Sequence, residues 1–278
     1  MCTIEYGMSN RPALRDHRLR VMEGVLAWEG EIGNARVRKL FGLQAVQASR
    51  LLGEFRLLMG DSIVEDGRAK VLKPAFPESF ETNVSLDEYA RQTSIGEDTN
   101  PCVIDARVDL TEVKPAVFAL LRKAALTNTG VVISYASMTN PVFEERTIFP
   151  HSIIHIGRRW HVRGWCARRQ DFRDFTLGRI QAVSPAPDSA PRTIYEDQAW
   201  HEIVLLELAA HRKLSPEQQE VVRRENFNGA SDRRLPVRAC LAQYVIQDLR
   251  AAVDPENEMP PEFQIEVANV DQLKPALF

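Results

Sequence analysis

Several features that mark common protein classes are missing from this chain of 278 residues. Cysteine is scarce: Cys2, Cys102, Cys166 and Cys240 are scattered with no paired spacing. A zinc knuckle needs closely spaced ligand pairs and a small disulfide scaffold needs cysteine density, so the first is excluded and the second is not expected. No apolar run approaches membrane-spanning length, and the N-terminus carries no apolar stretch of the signal-peptide kind. The expectation is a protein of the reducing cytoplasm with no membrane partner. Internal repeats, long low-complexity segments, a glycine-rich phosphate loop and a nucleophile motif are also missing. Nor is there an excess of positive charge, since 35 Lys and Arg against 38 Asp and Glu leave a net charge of −3. Spread evenly, that charge would argue against a polyanionic partner.

The charge is not spread evenly. Between Asn34 and Arg56 stand Arg36, Arg38, Lys39, Arg50 and Arg56 against Glu54 alone. Between Pro141 and Gln181 stand eight arginines against Glu144, Glu145, Asp171 and Asp174. The tail from Ala182 onward is acidic and sets the overall sign. Local patches, not the total, decide where a polyanion docks. With 44% hydrophobic and 26% charged residues, the length suits two or three folded domains, each with an ordinary core.

Met1 to Leu14 reads as a loose arm. From Arg15 to Glu29, Leu19, Met22 and Leu26 form a helical stripe flanked by Val21, Val25 and Trp28. Gly30 and Gly33 punctuate its exit, Asn34 is a candidate cap for a second short helix to Phe41, and Gly42 turns the chain into a third helix over Gln44 to Leu58. Ala45, Ala48, Leu52 and Phe55 fall on its inner side. Gln44, Gln47, Arg50 and Glu54 fall on its outer side, with Ser49 at the edge. That outer face fits a solvated surface and a base-reading surface equally, because Arg bridges two guanine acceptors and Gln pairs with adenine. The next segment favours the second: Ile63-Val64 and Lys70-Val71 flank Asp66-Gly67, the signal of a tight hairpin. Three helices and a basic-tipped hairpin make a winged helix-turn-helix, in which Gln44, Gln47, Ser49 and Arg50 read bases. Arg36, Arg38, Arg68 and Lys70 are then the phosphate contacts.

Lys73 to Pro101 is a polar, proline-punctuated connector with a short helix near Leu86 to Gln92. Helical spacing returns over Asp109 to Leu126. Short strands follow at Val131–Tyr135, Glu144–Phe149, Ser152–Ile156, Trp160–Cys166, Phe172–Leu177 and Ile180–Val183, close enough together to predict a small β-barrel. Ser184 to Pro191 is a linker by composition. Beyond it come a strand over His201 to Leu208, a helix opened by Ser215-Pro216, a turn at Asn228-Gly229, a helix over Pro236 to Leu249, and a last strand at Phe263–Val267. An acidic α+β unit with a sheet edge and nothing catalytic in it reads most simply as a dimerisation domain.

Within the predicted barrel, arginines alternate with aromatics from Pro150 to Val183. A strand through Trp160 to Cys166 sends Trp160, Val162, Gly164 and Cys166 to one face and His161, Arg163 and Trp165 to the other. The second face is too cationic for plain core. Guanidinium groups beside flat rings suit a phosphate or a stacked base; the plainer reading is a set of ion pairs, but four local acids do not neutralise eight arginines. His151 and His155 are four apart, yet their β context makes them pocket or structural residues, not a metal pair. Cys166 is read as core, and Asp171 and Asp174 as ion-pair partners. No metal or cofactor is expected.

The chain resembles the WYL-domain transcription regulators. The eponymous strand reads Trp160-His161-Val162 here, and around it stand Tyr135, Arg146, Pro150-His151, the Arg-Trp-x-x-Arg run, Phe172-Arg173-Asp174-Phe175 and Leu177-Gly178-Arg179-Ile180. It is most similar to the BrxR/CapW kind found with bacterial anti-phage systems, in which Arg-Trp-His-Val-Arg is a usual form of this strand. The resemblance implies an α+β multidomain protein: a winged helix-turn-helix, an SH3- or Sm-like WYL barrel, and a C-terminal WCX domain that dimerises. The corresponding segments are 1–73, a connector with helices over 74–126, the barrel over 127–184, a linker over 185–199 and the dimerisation domain over 200–278. It implies a homodimer on an inverted-repeat operator in double-stranded DNA, at the nucleoid. It further implies a nucleotide or single-stranded nucleic-acid effector held by Tyr135, Ser137, Arg146, His151, Trp160, His161, Arg163, Arg173 and Arg179. Two other function classes compete: a nucleic-acid-processing enzyme with the barrel as active site, and a constitutive DNA-binding module without a ligand. No catalytic motif supports the enzyme, so the expectation is a repressor of a phage-defence operon, not an enzyme.

Overall fold

The structure, a computed structural model, describes residues 10–93, 103, 106 and 110–277. It divides into two compact units, Met1–Arg107 and Val108–Phe278. Part of the expected N-terminal arm, together with Cys2 and Cys102, lies outside the described residues. The part of that arm that is described, from Asn10 to Leu14, is already helical.

In the first unit, α1 (Asn10–Glu29) buries Leu19, Met22, Val25 and Leu26, which recur at three- and four-residue steps. Trp28 is 45% exposed, but its indole N–H donates to the Val84 carbonyl at 2.9 Å. A two-residue strand, β1 (Ile32–Gly33), leads into α2 (Asn34–Phe41). Asn34 is not the cap of this helix; Gly33 occupies that position. The Asn34 amide instead donates to the Ala45 carbonyl at 2.9 Å and to Ser49 Oγ at 2.8 Å, which ties α2 to α3 (Ala45–Met59). The inner stripe of α3 is Ala48, Leu51 and Phe55, with Leu52 partly buried and Ala45 exposed, against expectation. The hairpin of β2 (Ile63–Asp66) and β3 (Val71–Pro74) gains β1 as a third strand, in the order β1-β3-β2. Its connection is a four-residue loop, not the two-residue turn that Asp-Gly predicts, since Asp66 pairs with Val71. The Asp66 carboxylate explains this by accepting the amides of Arg68 at 3.1 Å and Ala69 at 3.0 Å. A short α4 (Leu86–Thr93) returns to α1, where Arg20 pairs with Glu88 at 2.7 Å.

In the second unit, α5 (Pro115–Thr127) precedes β4 (Thr129–Tyr135), β5 (Glu144–Ile156), β6 (Arg159–Cys166), β7 (Asp171–Thr176) and β8 (Ile180–Ser189). These five strands form one sheet in the order β7-β6-β5-β4-β8. The edges β7 and β8 do not pair, so the expected barrel is not closed; the domain is a helix on an open sheet. The reason lies in the core. Val117, Leu121 and Ala124 of α5 pack with Val131, Ile133, Ile148, Val162 and Phe175, so a helix covers the apolar face that a closing sheet would otherwise bury.

Two strands expected separately are one: β5 runs through Pro150. Pro150 pairs with Gly164 and Ser152 with Arg163, so His151 is the extra residue of a bulge. Gly164 permits this approach, because a Cβ there would sit 2.3 Å from the Phe149 carbonyl oxygen. The composition-based linker is also overturned: β8 continues to Ser189, with Ala186 opposite Gly130 and Ser189 opposite Thr129. Its prolines are tolerated because β8 is an edge strand, where a missing N–H costs no ladder bond.

The same unit continues through α6 (Gln198–His201), β9 (Ile203–Ala210), α7 (Pro216–Phe227), β10 (Asp232–Arg238), α8 (Ala242–Asp248), β11 (Ala251–Ala252), β12 (Ile265–Val267) and α9 (Val270–Leu273). The sheet order is β10-β9-β12-β11, with Leu206, Leu208, Phe227, Ile246 and Val267 in its core. Ser215 caps α7 as expected, accepting the Gln218 amide at 3.3 Å. The helix predicted from Pro236 starts later. Pro236 to Arg238 belong to β10, whose residues pair with β9 in unbroken register from Asp232 to Arg238.

Candidate functional site

Two separate sets of residues come into focus. In the first unit, α3 presents Gln44, Gln47, Ser49 and Arg50 at its N-terminal end, all exposed. Arg50 is 84% exposed, with Glu54 one turn on at 3.4 Å. Gln47 Oε1 accepts the Gln44 amide at 3.1 Å, so its carbonyl caps the helix while its NH2 stays available. Ser49 Oγ is engaged by Asn34. Arg68 and Lys70 are exposed on the hairpin loop, and Arg38 is exposed on α2. Arg36 differs from the other predicted phosphate contacts: its Nε lies 3.0 Å from Glu29 Oε2, and its guanidinium is committed to that carboxylate.

In the second unit, Arg163 is 5% exposed and fully engaged. Its Nε donates to Asp197 Oδ2 at 2.6 Å, Nη2 to Asp197 Oδ1 at 2.9 Å, and Nη1 to Asp174 Oδ1 at 3.1 Å. The bulge at His151 brings that ring into the same group, with Nε2 3.1 Å from Asp197 Oδ2 and Nδ1 2.9 Å from Ser152 Oγ. Burial pushes the Asp197 carboxyl upward, but the bonds from His151 and Arg163 outweigh it and hold it at about 2. Asp174 takes one bond from Arg163 rather than two, and burial there dominates and raises its carboxyl. Arg163 therefore meets its charge inside the fold. Counting local acids misleads here, because Asp197 comes from beyond the predicted barrel.

His161 is 4% exposed and lies against the Tyr244 ring of α8 at 4.7 Å. Burial, then the charges of Arg159 and Arg179, push its imidazole down to about 4, so it is neutral at physiological pH. Trp160 projects to the opposite face, as the strand alternation predicts, where it stacks on His155 at 4.6 Å and meets Phe118 edge-on at 6.0 Å. The nine predicted effector residues thus do not line one cavity. Tyr135 is buried, with the Arg146 guanidinium 5.6 Å from its ring centre and the Thr176 amide donating to its hydroxyl at 3.4 Å. Arg146 pairs loosely with Glu144 at 3.9 Å, and its buried Nε has no partner. Ser137 closes a local turn with Asn140, whose amide donates to Ser137 Oγ at 3.0 Å. Arg173 is exposed beside Asp171 at 2.9 Å, and Arg179 is half-buried.

Arg163 and Arg173 do reach a common crevice of about 870 Å³, which also takes in Trp165, Phe172, Arg192 and Glu202. Trp165 and Phe172 pack edge-on at 5.2 Å, and the buried Trp165 Nε1 has no acceptor. Those two rings were visible as part of the arginine–aromatic alternation. Asp197 and Trp200 escaped sequence reading, and Tyr244 was legible only as part of a helical stripe; the only local signal for Asp197 was its place before a short helix, where it accepts the Trp200 amide at 3.3 Å. Cys166 is fully buried core, and Asp171 and Asp174 are ion-pair partners, as expected. Among the described residues, no group of three or more His, Cys, Asp or Glu side chains is placed to hold a metal ion. No described helix is long and apolar enough to cross a membrane.

Three family models match in succession: the BrxR transcriptional regulator winged helix-turn-helix domain over residues 15–95, the WYL domain over 116–185, and the BrxR transcriptional regulator C-terminal dimerization domain over 203–273. All three are regulatory domains and none is catalytic; together they define a WYL-domain transcriptional regulator. The chain is similar to the DNA-binding transcriptional repressor CapW of Pseudomonas aeruginosa, at 28% identity over 94% of this chain and 91% of that one. Its likeness to CapW of Escherichia coli (strain KTE188) is 28% over 93% and 90%, and to CapW of Stenotrophomonas maltophilia 27% over 94% and 91%. The chain belongs to the BrxR/CapW kind of WYL-domain transcriptional regulators.

Proposed function

We propose that this regulator is a homodimeric repressor that binds an inverted-repeat operator and releases or regrips it in response to an effector. The observation that carries the reading is the exposed N-terminal end of α3, where Gln44, Gln47 and Arg50 offer base-reading chemistry. Arg38, Arg68 and Lys70 supply the phosphate contacts, and Arg36 joins them only by leaving Glu29. Dimerisation through the C-terminal domain places two reading heads on half-sites about one or two helical turns apart. The relatives named CapW are repressors, which favours repression here, and the phage-defence operon implied by the family is the proposed target, in the cytoplasm at the nucleoid.

The effector is a nucleotide or short single-stranded nucleic acid. Of the nine residues assigned to it, Arg173 and Arg163 border the crevice beside Trp165 and Phe172, where a base has rings to stack on and the exposed Arg173 can exchange its surface partner Asp171 for a phosphate. Arg146, over Tyr135, offers a second position, since its buried Nε has no acceptor. His151, His161, Trp160 and the buried Tyr135 enter this reading as supports of the sheet, and Ser137 and Arg179 stand outside the crevice lining. A fluorescence-anisotropy titration with the DNA upstream of its own gene tests the whole reading, repeated with nucleotides and short single strands. Saturable binding that weakens by orders of magnitude from low to moderate salt, and that shifts with an effector, is the expected result. A salt-insensitive complex would count against operator binding; an operator affinity indifferent to every effector would remove the sensing half.

A further inference from the structure

We propose that a second cleft, between the β5–β6 turn and the end of α8, binds a small phosphate-bearing anion at a site separate from the effector crevice. The cleft holds about 360 Å³ and is bordered by Arg158, Arg159, His161, Tyr244, Asp248 and Arg250. Local structure builds it from both sides. Gly157 takes φ +53°, and a Cβ there would meet Asp248 Oδ1 at 2.8 Å, so the turn that carries Arg158 and Arg159 is seated directly on α8. On the facing side, Arg250 follows α8 at φ 48°, a left-handed position that residues other than glycine rarely take. The chain accepts that conformation at the residue that brings a third guanidinium to the cleft.

The charge there is not balanced from within. Asp248 is the one carboxylate against three arginines in the lining. Among the described residues, Arg158, Arg159 and Arg250 form no ion pair with a carboxylate, whereas Arg146, Arg163, Arg168 and Arg173 of the neighbouring sheet do. His161 records the same imbalance: it is buried at the base of the cleft, and Arg159 and Arg179 add to burial in keeping it neutral. Its other neighbour, Tyr244, directs its hydroxyl to Asp174 at 3.4 Å and adds no negative charge while protonated. Three guanidiniums around a small polar space match the fork geometry of phosphate oxygens, and the volume suits a pyrophosphate or a compact phosphate ester rather than a stretch of nucleic acid.

The test uses the full-length protein and inorganic pyrophosphate as probe, by isothermal titration at low and moderate salt. One saturable site per chain, weakened by salt, is expected. The double variant Arg159→Ala/Arg250→Ala should bind at least roughly tenfold more weakly, the scale of losing charge-assisted bonds. Both side chains are exposed, so its melting temperature should match that of the wild type. The imidazole signals of His161, followed by NMR, should titrate at higher pH when the probe is bound, because the anion offsets Arg159. Absence of binding, or equal binding by the double variant, overturns the proposal. Loss of binding in Arg173→Ala but not in the double variant also overturns it, and assigns the anion to the effector crevice. Failure of the operator assay, by contrast, leaves this result intact.

Discussion

Arg50 and Arg163 are the same side chain put to opposite uses. The first is 84% exposed on α3 with one loose intrahelical partner; the second is buried and holds two carboxylates. An exposed guanidinium keeps its water and gives it up only to a transient partner, so it contributes to binding and little to folding. A buried one has already lost its water and depends on its carboxylates, so it contributes to the integrity of the fold and is not free to bind. Arginine density alone does not separate the two. What separates them is where the acids fall in space, and Asp197 is contributed by a segment outside the strands that carry the arginines.

The sharpest way to break this contrast is Arg163→Ala. It strands Asp197 and Asp174 in a buried site and should cost about 3–5 kcal/mol in urea denaturation. A loss as small as that of a surface substitution would show that water reaches the pair. Second, Arg50→Ala should weaken operator binding about tenfold to a hundredfold by anisotropy while leaving the denaturation midpoint unchanged. A drop in stability instead would make α3 a structural face. Third comes pH. His161 is held at about 4 in the fold, below its ordinary value of 6.5, so the unfolded chain binds more protons between those values. The stability it confers is complete above pH 6.5 and is lost as pH falls toward 4, on the order of 2 kcal/mol by pH 5. Asp197, held at about 2 against 3.8, adds a second loss only below pH 4. His161→Gln should flatten the upper stage and spare the lower one. Smallest is Lys70→Ala, which should reduce the slope of log affinity against log salt by about 1 with little effect on sequence preference.

The winged helix was legible because its signals are local. Apolar spacing over Leu19 to Leu26, glycine at Gly42 and the flanks of Asp66-Gly67 each fix structure within a few residues. The loop length was not, because the Asp66 carboxylate caps two amides and holds the chain open for four residues. The sheet domain was legible as strands but not as a closed or open object. Closure depends on whether β7 meets β8, and short strands read the same in either case; here α5 takes the apolar face instead. Proline misled in the stretch from Ser184 to Pro191, since an edge strand and a linker share its composition. The effector residues were found as types but not as a set. Alternation put Trp160 and His161 on opposite faces from the start, and the structure keeps them there.

One carboxylate ends up with an outsized mechanical part. Asp197 caps α6, grips Arg163 in β6 and meets His151 at the bulge of β5, all within 3.3 Å. One carboxylate thus ties two strands of the sheet to the helix that follows it. Neither the sheet nor the strands that follow α6 can slide without tearing a desolvated charge from its partners. Within this unit, a push on the sheet is therefore not absorbed as local give. It falls first on this one carboxylate, which couples the sheet to the strands that follow α6.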